Sequence, residues 1–369
     1  MEVYFDYQIF FYQQYGGISK YIVELCNALG EIKDCKPFIH APFHRSSYFS
    51  EIGNKNFIKN ILKYSPDLSR HIFRRYRKIN DLFRFIYLKK NPNVILHETF
   101  YSHCVKKKVS HRVITVYDMM PELFLTNEPQ FKSVIREKRE AIERADLIIS
   151  ISESTKRDLI KLHPALADKI HVTHLGVRQV DIGSIKIYHS SAPYILYVGK
   201  RDYYKNFITL LKTYLDDEEI HGKFQLICYG GSKFDDEENN LISKAGLEKK
   251  VIRLYGNDDL LNSLYKSAEC FVYPSTYEGF GLPVLEAMAL NCPVICANTS
   301  SLPEVAGDAA LLIDTTSQKE ISTAIKKITS DVNLRKQLIA KGAERIKQFT
   351  WRSCAEKTYK VYQTMLENK

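Results

Sequence analysis

The sequence predicts an α/β protein of two domains, each a doubly wound parallel sheet covered by helices on both faces. Short apolar runs rich in β-branched and aromatic residues, such as Tyr194 to Val198, alternate with amphipathic stretches along the chain. At 369 residues the chain is long enough for two such domains of ordinary size. The stretch from Cys270 to Glu286, CFVYPSTYEGFGLPVLE, reads as a buried strand, a loop holding Gly279 and Gly281, and a helix opening near Pro283.

The totals narrow the class. A hydrophobic content of 45% and a charged content of 26% argue against long disorder. No apolar run approaches the ~18–20 residues of a membrane helix. The start, MEVYFDYQ, has no basic region ahead of an apolar core, so it is not read as a signal peptide and a cytoplasmic protein is expected. The eight cysteines are scattered without a CxxC pair and read as small buried hydrophobes. His163, His171 and His174 fit no standard ligand spacing, and no metal site is expected. The net charge of +10 is uneven: residues 55–108 carry 14 basic and 3 acidic side chains. Such a patch attracts phosphate-rich surfaces, whether nucleic acid, anionic lipid or a lipid diphosphate.

In chain order, Glu2 to Asp6 reads as the first strand, followed by a loop ending in Gly16-Gly17 and a helix from Ile18 to Leu29. A di-glycine lets backbone approach a ligand closely. Residues 36–41 read as a strand, and the segment to about residue 92 shows no crisp strand. Within it Ile72, Tyr76, Ile79, Phe83 and Ile86 recur at helical spacing, with Arg74, Arg75, Arg77, Lys78 and Arg84 largely elsewhere on the wheel. This basic amphipathic helix suits either a bilayer headgroup region or a core-packed face with solvated charges. Asn93 to His97 and Val113 to Val116 read as buried strands ending in His97-Glu98-Thr99 and Tyr117-Asp118, at the strand ends where ligands collect. A helix over 131–144, a strand over 145–150 and a helix capped by Ser152 or Ser154 follow.

After a linker at 180–192, Tyr194 to Val198 opens the second domain and runs into Gly199-Lys200-Arg201, with Lys205-Asn206 beyond. A helix starting there would put Arg201 and Lys205 on one face. Further strands are expected at 224–229, 251–254, 269–274, 293–296 and 309–313, and closing helices at 331–347 and 351–367. The domains are therefore 1–180 and 190–350, with a helix over 351–369.

The 270–286 stretch carries the chemistry. The first N–H groups of a helix have no internal partner, so strand, glycine loop and helix N-terminus form an anion site. Glu278 and Glu286 bracket the loop. Carboxylates repel phosphate and take hydroxyls, so the combination suits a sugar nucleotide.

Glu278 and Glu286 flanking seven residues, with YPSTYEGFGLPVLEAMALNCPVI around them, resemble the signature of retaining glycosyltransferases of family 4. GGISKYIVEL resembles the family's donor-facing glycine loop, and Gly199 to Asn206 its G-x-R-x-x-x-K-N. Ser301-Leu302-Pro303-Glu304 matches a loop near the nucleotide.

The resemblance implies the GT-B fold: two Rossmann-like domains facing a cleft, acceptor in the first, nucleotide sugar in the second, and a last helix crossing back to the first. It implies transfer of a hexose from a nucleoside diphosphate sugar to an acceptor hydroxyl with retention, without metal or other cofactor. Arg201, Lys205, the 281–283 helix start and the backbone of Gly16 and Gly17 would meet the diphosphate. Glu286 would hold the ribose, and Glu278 with Gly279, Phe280, Gly281 and Leu282 the sugar. Tyr117 stands where relatives carry a sugar-contacting His, and Asp118 is an acceptor-side candidate. The acceptor is expected to be a glycan on a polyprenyl diphosphate, in assembly of a bacterial surface polysaccharide such as O-antigen or capsule. The basic 55–108 region would rest on the inner face of the cytoplasmic membrane.

Two other readings share parts of this pattern. A GT-B sugar-nucleotide epimerase or hydrolase needs an acid/base pair at the sugar. A nucleic-acid-binding protein is prompted by the charge and disfavoured by the absence of a recognition motif.

Overall fold

The computed structural model describes residues 1–53, 58–59, 62–64, 69–101 and 111–367. Part of the basic 55–108 stretch, including Lys55 and Lys106 to Lys108, lies outside the described residues. Two compact units result: Met1–Gly176 with Trp351–Lys369, and Val177–Thr350.

The first unit holds β1 (Glu2–Phe5), β2 (Lys36–His40), β3 (Phe43–His44), β4 (Ile58–Lys59), β5 (Leu62–Lys63), β6 (Ile95–Glu98), β7 (His111–Val116), β8 (Leu147–Ser150) and β9 (Ile170–Val172). Its main sheet runs β4-β2-β1-β6-β7-β8-β9, every pair parallel, with β3 and β5 paired separately. The second unit holds β10 (Tyr194–Val198), β11 (Gln225–Tyr229), β12 (Val251–Leu254), β13 (Cys270–Tyr273), β14 (Val294–Ala297) and β15 (Ala310–Ile313). Its sheet order is β12-β11-β10-β13-β14-β15, again all parallel. Both orders reverse about a central strand, β1 and β10, as doubly wound sheets do.

The strands expected from apolar runs are present, because helices cover both faces and most strand positions are apolar. All five residues of β10 are buried, with Ile195 opposite Leu226 on β11 and Cys270 on β13. Helices Phe207–Asp216 and Gln318–Ser330 add Phe207, Leu210, Leu211, Ile321 and Ile325 to the same core. The two- and three-residue strands β3, β4, β5 and β9 were not expected, since such lengths hold no period. Seven cysteines are free and buried. Among the described residues no helix is long and apolar enough to cross a membrane.

The 180–192 linker is part of the second unit. Lys266 Nζ donates to the carbonyls of Ile182 and Ile185 at 2.8 and 2.6 Å, and Tyr188 N–H to Ser267 Oγ at 2.9 Å. Buried or not, these backbone groups have protein partners, which apolar spacing does not reveal. Helix Trp351–Glu367 belongs to the first unit and packs on helix Gly17–Leu29. Its Tyr362 hydroxyl meets His97 Nδ1 at 2.6 Å, while His97 Nε2 meets Thr115 Oγ1 at 2.8 Å.

Candidate functional site

In the second unit, the strand-end loops converge on backbone. Gly199 N–H donates to Tyr229 O and Gly230 N–H to Leu254 O, both at 2.9 Å, joining the ends of β10, β11 and β12. Gly199, Gly230 and Gly231 all have positive φ, and a Cβ on Gly231 would stand 2.9 Å from Arg201 Nη1 and 3.2 Å from the Gly199 carbonyl.

After β13 the chain passes Glu278 and enters helix Leu282–Ala289 through Gly281, at φ 107°. A side chain there would also strike Leu302, 2.7 Å away, so both conformation and space require glycine. The loop is held by hydroxyls. Ser300 Oγ donates to the Glu278 carbonyl at 2.6 Å and accepts from Glu278 N–H at 3.2 Å. Buried Ser301 Oγ reaches the carbonyls of Glu278 and Phe280 at 2.9 and 2.8 Å.

Lys205 Nζ lies 2.6 Å from Glu278 Oε1 and 3.4 Å from the Tyr273 hydroxyl. The ammonium also sits 5.0 Å from the Tyr204 ring centroid and 5.6 Å from that of Tyr273. Burial alone would lower the Lys205 pKa, but Glu278 outweighs it and the pKa is raised, so Lys205 stays charged. Burial, then Glu278, pushes the Tyr273 phenol well up. Glu286 lies half-buried one turn into the helix, where its charge adds to burial in raising Tyr265.

Arg201 does not share that position. No regular helix starts at Arg201: residues 203–205 form a single 3-10 turn, and the α-helix begins at Phe207 after left-handed Asn206. Arg201 turns toward the 231–238 segment instead. Its Nε meets Glu238 Oε1 at 2.8 Å, and its Nη2 donates to the carbonyls of Ser232 and Lys233. The guanidinium lies near Phe207 and Phe234, and the pair is about as buried as core, 5% and 6% exposed. The expectation that a helix starting there puts Arg201 and Lys205 on one face is therefore corrected. Lys200, beside Gly199, is the exposed cation of this turn.

In the first unit, Gly16 precedes helix Gly17–Leu29; a Cβ on Gly16 would collide with Gln13 Oε1 at 2.4 Å, while one on Gly17 would meet nothing. Tyr117 is 6% exposed, and its hydroxyl donates to the Thr99 carbonyl at 3.0 Å. The phenol expected to face a sugar is thus committed to the fold. Asp118 is more open: Oδ1 accepts Met120 N–H at 3.1 Å and lies 3.7 Å from buried Lys138 Nζ.

Helix Arg70–Lys90 packs by only part of the apolar stripe, Tyr76 and Ile79, together with polar positions. Asn80, Arg84 and Leu88 are buried, and Tyr76 stacks on Phe43 at 4.2 Å. Asn80 exchanges two 2.9 Å hydrogen bonds with the Phe43 backbone. Ile72, Phe83 and Ile86 are each 41% exposed, beside exposed Arg74, Arg75 and Lys78. Sequence reasoning missed the Arg201–Glu238 pair, the Tyr273 contact and the serine clamp. The repeat of strand and di-glycine at Tyr229-Gly230-Gly231 was the one readable signal. Among the described residues, no group of three or more His, Cys, Asp or Glu could hold a metal ion.

Comparison with known proteins adds the lineage. Residues 186–345 match the family described as glycosyl transferases group 1, and residues 15–179 match glycosyltransferase family 4. The chain is 30% identical over 378 residues to the O-antigen chain mannosyltransferase B of Escherichia coli, covering 95% of this chain and 96% of that one. It is 26% identical over 326 residues to the O-antigen chain mannosyltransferase RfbU of Salmonella typhimurium, covering 85% and 87%. Among solved structures it resembles sucrose-phosphate synthase from Thermosynechococcus elongatus with a TM-score of 0.76, at 19% identity and coverage of 100% and 99%.

Proposed function

The chain belongs to the group 1 glycosyltransferases, and we propose that it moves a hexose, mannose or a similar sugar, from a nucleoside diphosphate donor to a glycan hydroxyl. The proposed setting is bacterial surface polysaccharide assembly, as the names of the O-antigen relatives suggest. The observation that carries the donor assignment is the Lys205–Glu278 pair beside a glycine loop that opens a helix N-terminus. A cation beside the positive end of a helix dipole suits a diphosphate, and a carboxylate suits sugar hydroxyls.

The reaction is proposed to retain configuration and to need no metal. The bond from the anomeric carbon to the diphosphate breaks, and a bond to the acceptor oxygen forms on the same face. The acceptor proton passes to the departing phosphate oxygen. Lys205, exposed Lys200 and the N-terminus of helix Leu282–Ala289 would stabilise the charge that builds there. Glu278 would hold the sugar and Glu286 the ribose. Asp118 is assigned to the acceptor.

The acceptor is proposed to be lipid-linked, with helix Arg70–Lys90 seated on an anionic membrane. The support is its exposed face, which sets Ile72, Phe83 and Ile86 among arginines and lysines. Binding to anionic but not neutral vesicles is expected, and equal binding to both would sink this part.

The donor reading is tested by thermal unfolding with UDP, GDP, ADP and CDP. A ligand held only by the native state adds about 2.7 kcal/mol at one hundred times its Kd. One nucleotide should raise the transition, and the shift should shrink in Glu286→Ala. No shift with any of the four, at millimolar concentration, would overturn the donor site.

A further inference from the structure

Among the described side chains of helix Arg70–Lys90, Arg84 is the cation turned fully away from water, at 3% exposure. Its Nη1 donates to Asp6 Oδ2 at 3.1 Å and its Nη2 to Asp81 Oδ1 at 3.0 Å. Tyr7 covers the pair, its ring centroid 5.6 Å from the guanidinium carbon and its hydroxyl donating to Asp81 at 2.8 Å.

Asp6, the residue after β1, is completely buried. Its Oδ1 accepts the N–H of Thr99 at 3.0 Å and the Thr99 hydroxyl at 2.7 Å. Thr99 follows β6, and its carbonyl accepts the hydroxyl of Tyr117, which follows β7. Ile9 N–H donates to Thr99 Oγ1 at 3.1 Å. One buried ion pair therefore ties the basic helix to the carboxyl ends of three adjacent strands.

A buried pair is a poor way to gain stability, because apolar or neutral residues of similar shape often hold as well. What a planar guanidinium forked across two carboxylates, Asp6 and Asp81, does supply is fixed orientation. We propose that Arg84 and Asp6 are positioning residues that fix the basic helix to the strand ends carrying Thr99, Tyr117 and Asp118. Seating the helix on an anionic lipid surface then orders the acceptor end of this unit. The proposal rests on the membrane reading above.

The test is amide hydrogen exchange on wild type and on the double variant Asp6→Asn with Arg84→Gln. The probes are phosphatidylcholine vesicles with and without phosphatidylglycerol. Arg84 does not reach the surface, so both proteins should bind the anionic vesicles equally. In wild type, binding should slow exchange at the Thr99 and Ile9 amides by about tenfold; in the double variant the slowing should vanish. Arg84→Lys keeps the charge but loses the fork, and should slow exchange by less; it serves where the double variant fails to fold. Slowing equal to wild type in a folded variant overturns the proposal, as does wild type that binds without slowing. Wild type that does not bind the anionic vesicles would instead overturn the membrane reading, and this inference with it.

Discussion

The two units end their parallel strands in loops built from different material. Among the described residues, every residue with φ between about +20° and +160°, glycine or not, lies in Val177–Thr350, including Gly199, Asn206, Gly230, Gly231, Gly281 and Ser300. The first unit closes its strand ends with buried side chains: Asp6, Gln8, Arg84, Thr99 and Tyr117. Left-handed turns let the chain reverse tightly and let backbone approach a ligand closely, and here the N–H groups of Gly199 and Gly230 join neighbouring strand ends. Side-chain networks leave few free donors but hold neighbouring elements in fixed register. The contrast is the one expected under the proposed reading, in which the second unit takes the diphosphate and the first the acceptor.

The largest effects should come from separating the two cations of the second unit. Lys205→Met should lower kcat/KM by about 10²–10³ per folded molecule, the range for losing one group aimed at transition-state charge. Arg201→Met should instead lower stability by about 3–5 kcal/mol, because Glu238 is left buried without its cation. Its kinetics per folded molecule should stay near wild type. Steady-state rates beside denaturant titrations check both. An Arg201→Met protein as stable as wild type yet as inactive as Lys205→Met would break the assignment.

A middle-sized effect should separate the units by acid. Burial lowers the His97 pKa to about 3, between the hydroxyls of Tyr362 and Thr115. Burial and then Lys63 lower that of His44 to about 4. Both belong to the first unit. An unfolded histidine titrates near pH 6.5, so the unfolded chain takes up protons first as pH falls. Stability is complete above about pH 6.5 and is lost progressively toward the folded values, by on the order of a few kcal/mol. Amides of β6 and β7 should lose exchange protection at higher pH than those of β10 and β13. His97→Gln, which keeps a hydrogen-bonding side chain without the titration, should flatten that slope. Equal loss in both units would remove His97 as the cause.

How much of this was legible follows from range along the chain. Strands such as Tyr194–Val198 announce themselves because all five residues must be apolar. The Glu278-to-Glu286 segment was readable because strand, glycines and helix start are consecutive, and glycine at 281 is required by φ 107°. The Arg201–Glu238 pair was not legible because nothing local to Arg201 marks a carboxylate 37 residues away. On helix Arg70–Lys90 three residues of the apolar stripe, Ile72, Phe83 and Ile86, stay exposed, since Asn80 and Arg84 take inner positions through partners at Phe43 and Asp6. Buried polar pairs invert the usual rule that charge faces water.

The smallest expected effect sharpens the comparison most at Tyr117. The family resemblance implied a sugar-contacting role at this position, yet in this chain the ring is 6% exposed and its hydroxyl is committed to the Thr99 carbonyl. Tyr117→Phe removes that one hydrogen bond and should lower stability by about 1 kcal/mol. A group outside the sugar's reach makes no difference between competing donors, so relative kcat/KM for GDP-mannose and UDP-glucose should move by less than about threefold, under 1 kcal/mol of discrimination. Competition assays with the two donors give that ratio directly. A larger change in selectivity would mean that Tyr117 leaves the Thr99 carbonyl when donor binds, and the first unit would then read the sugar itself rather than only the acceptor.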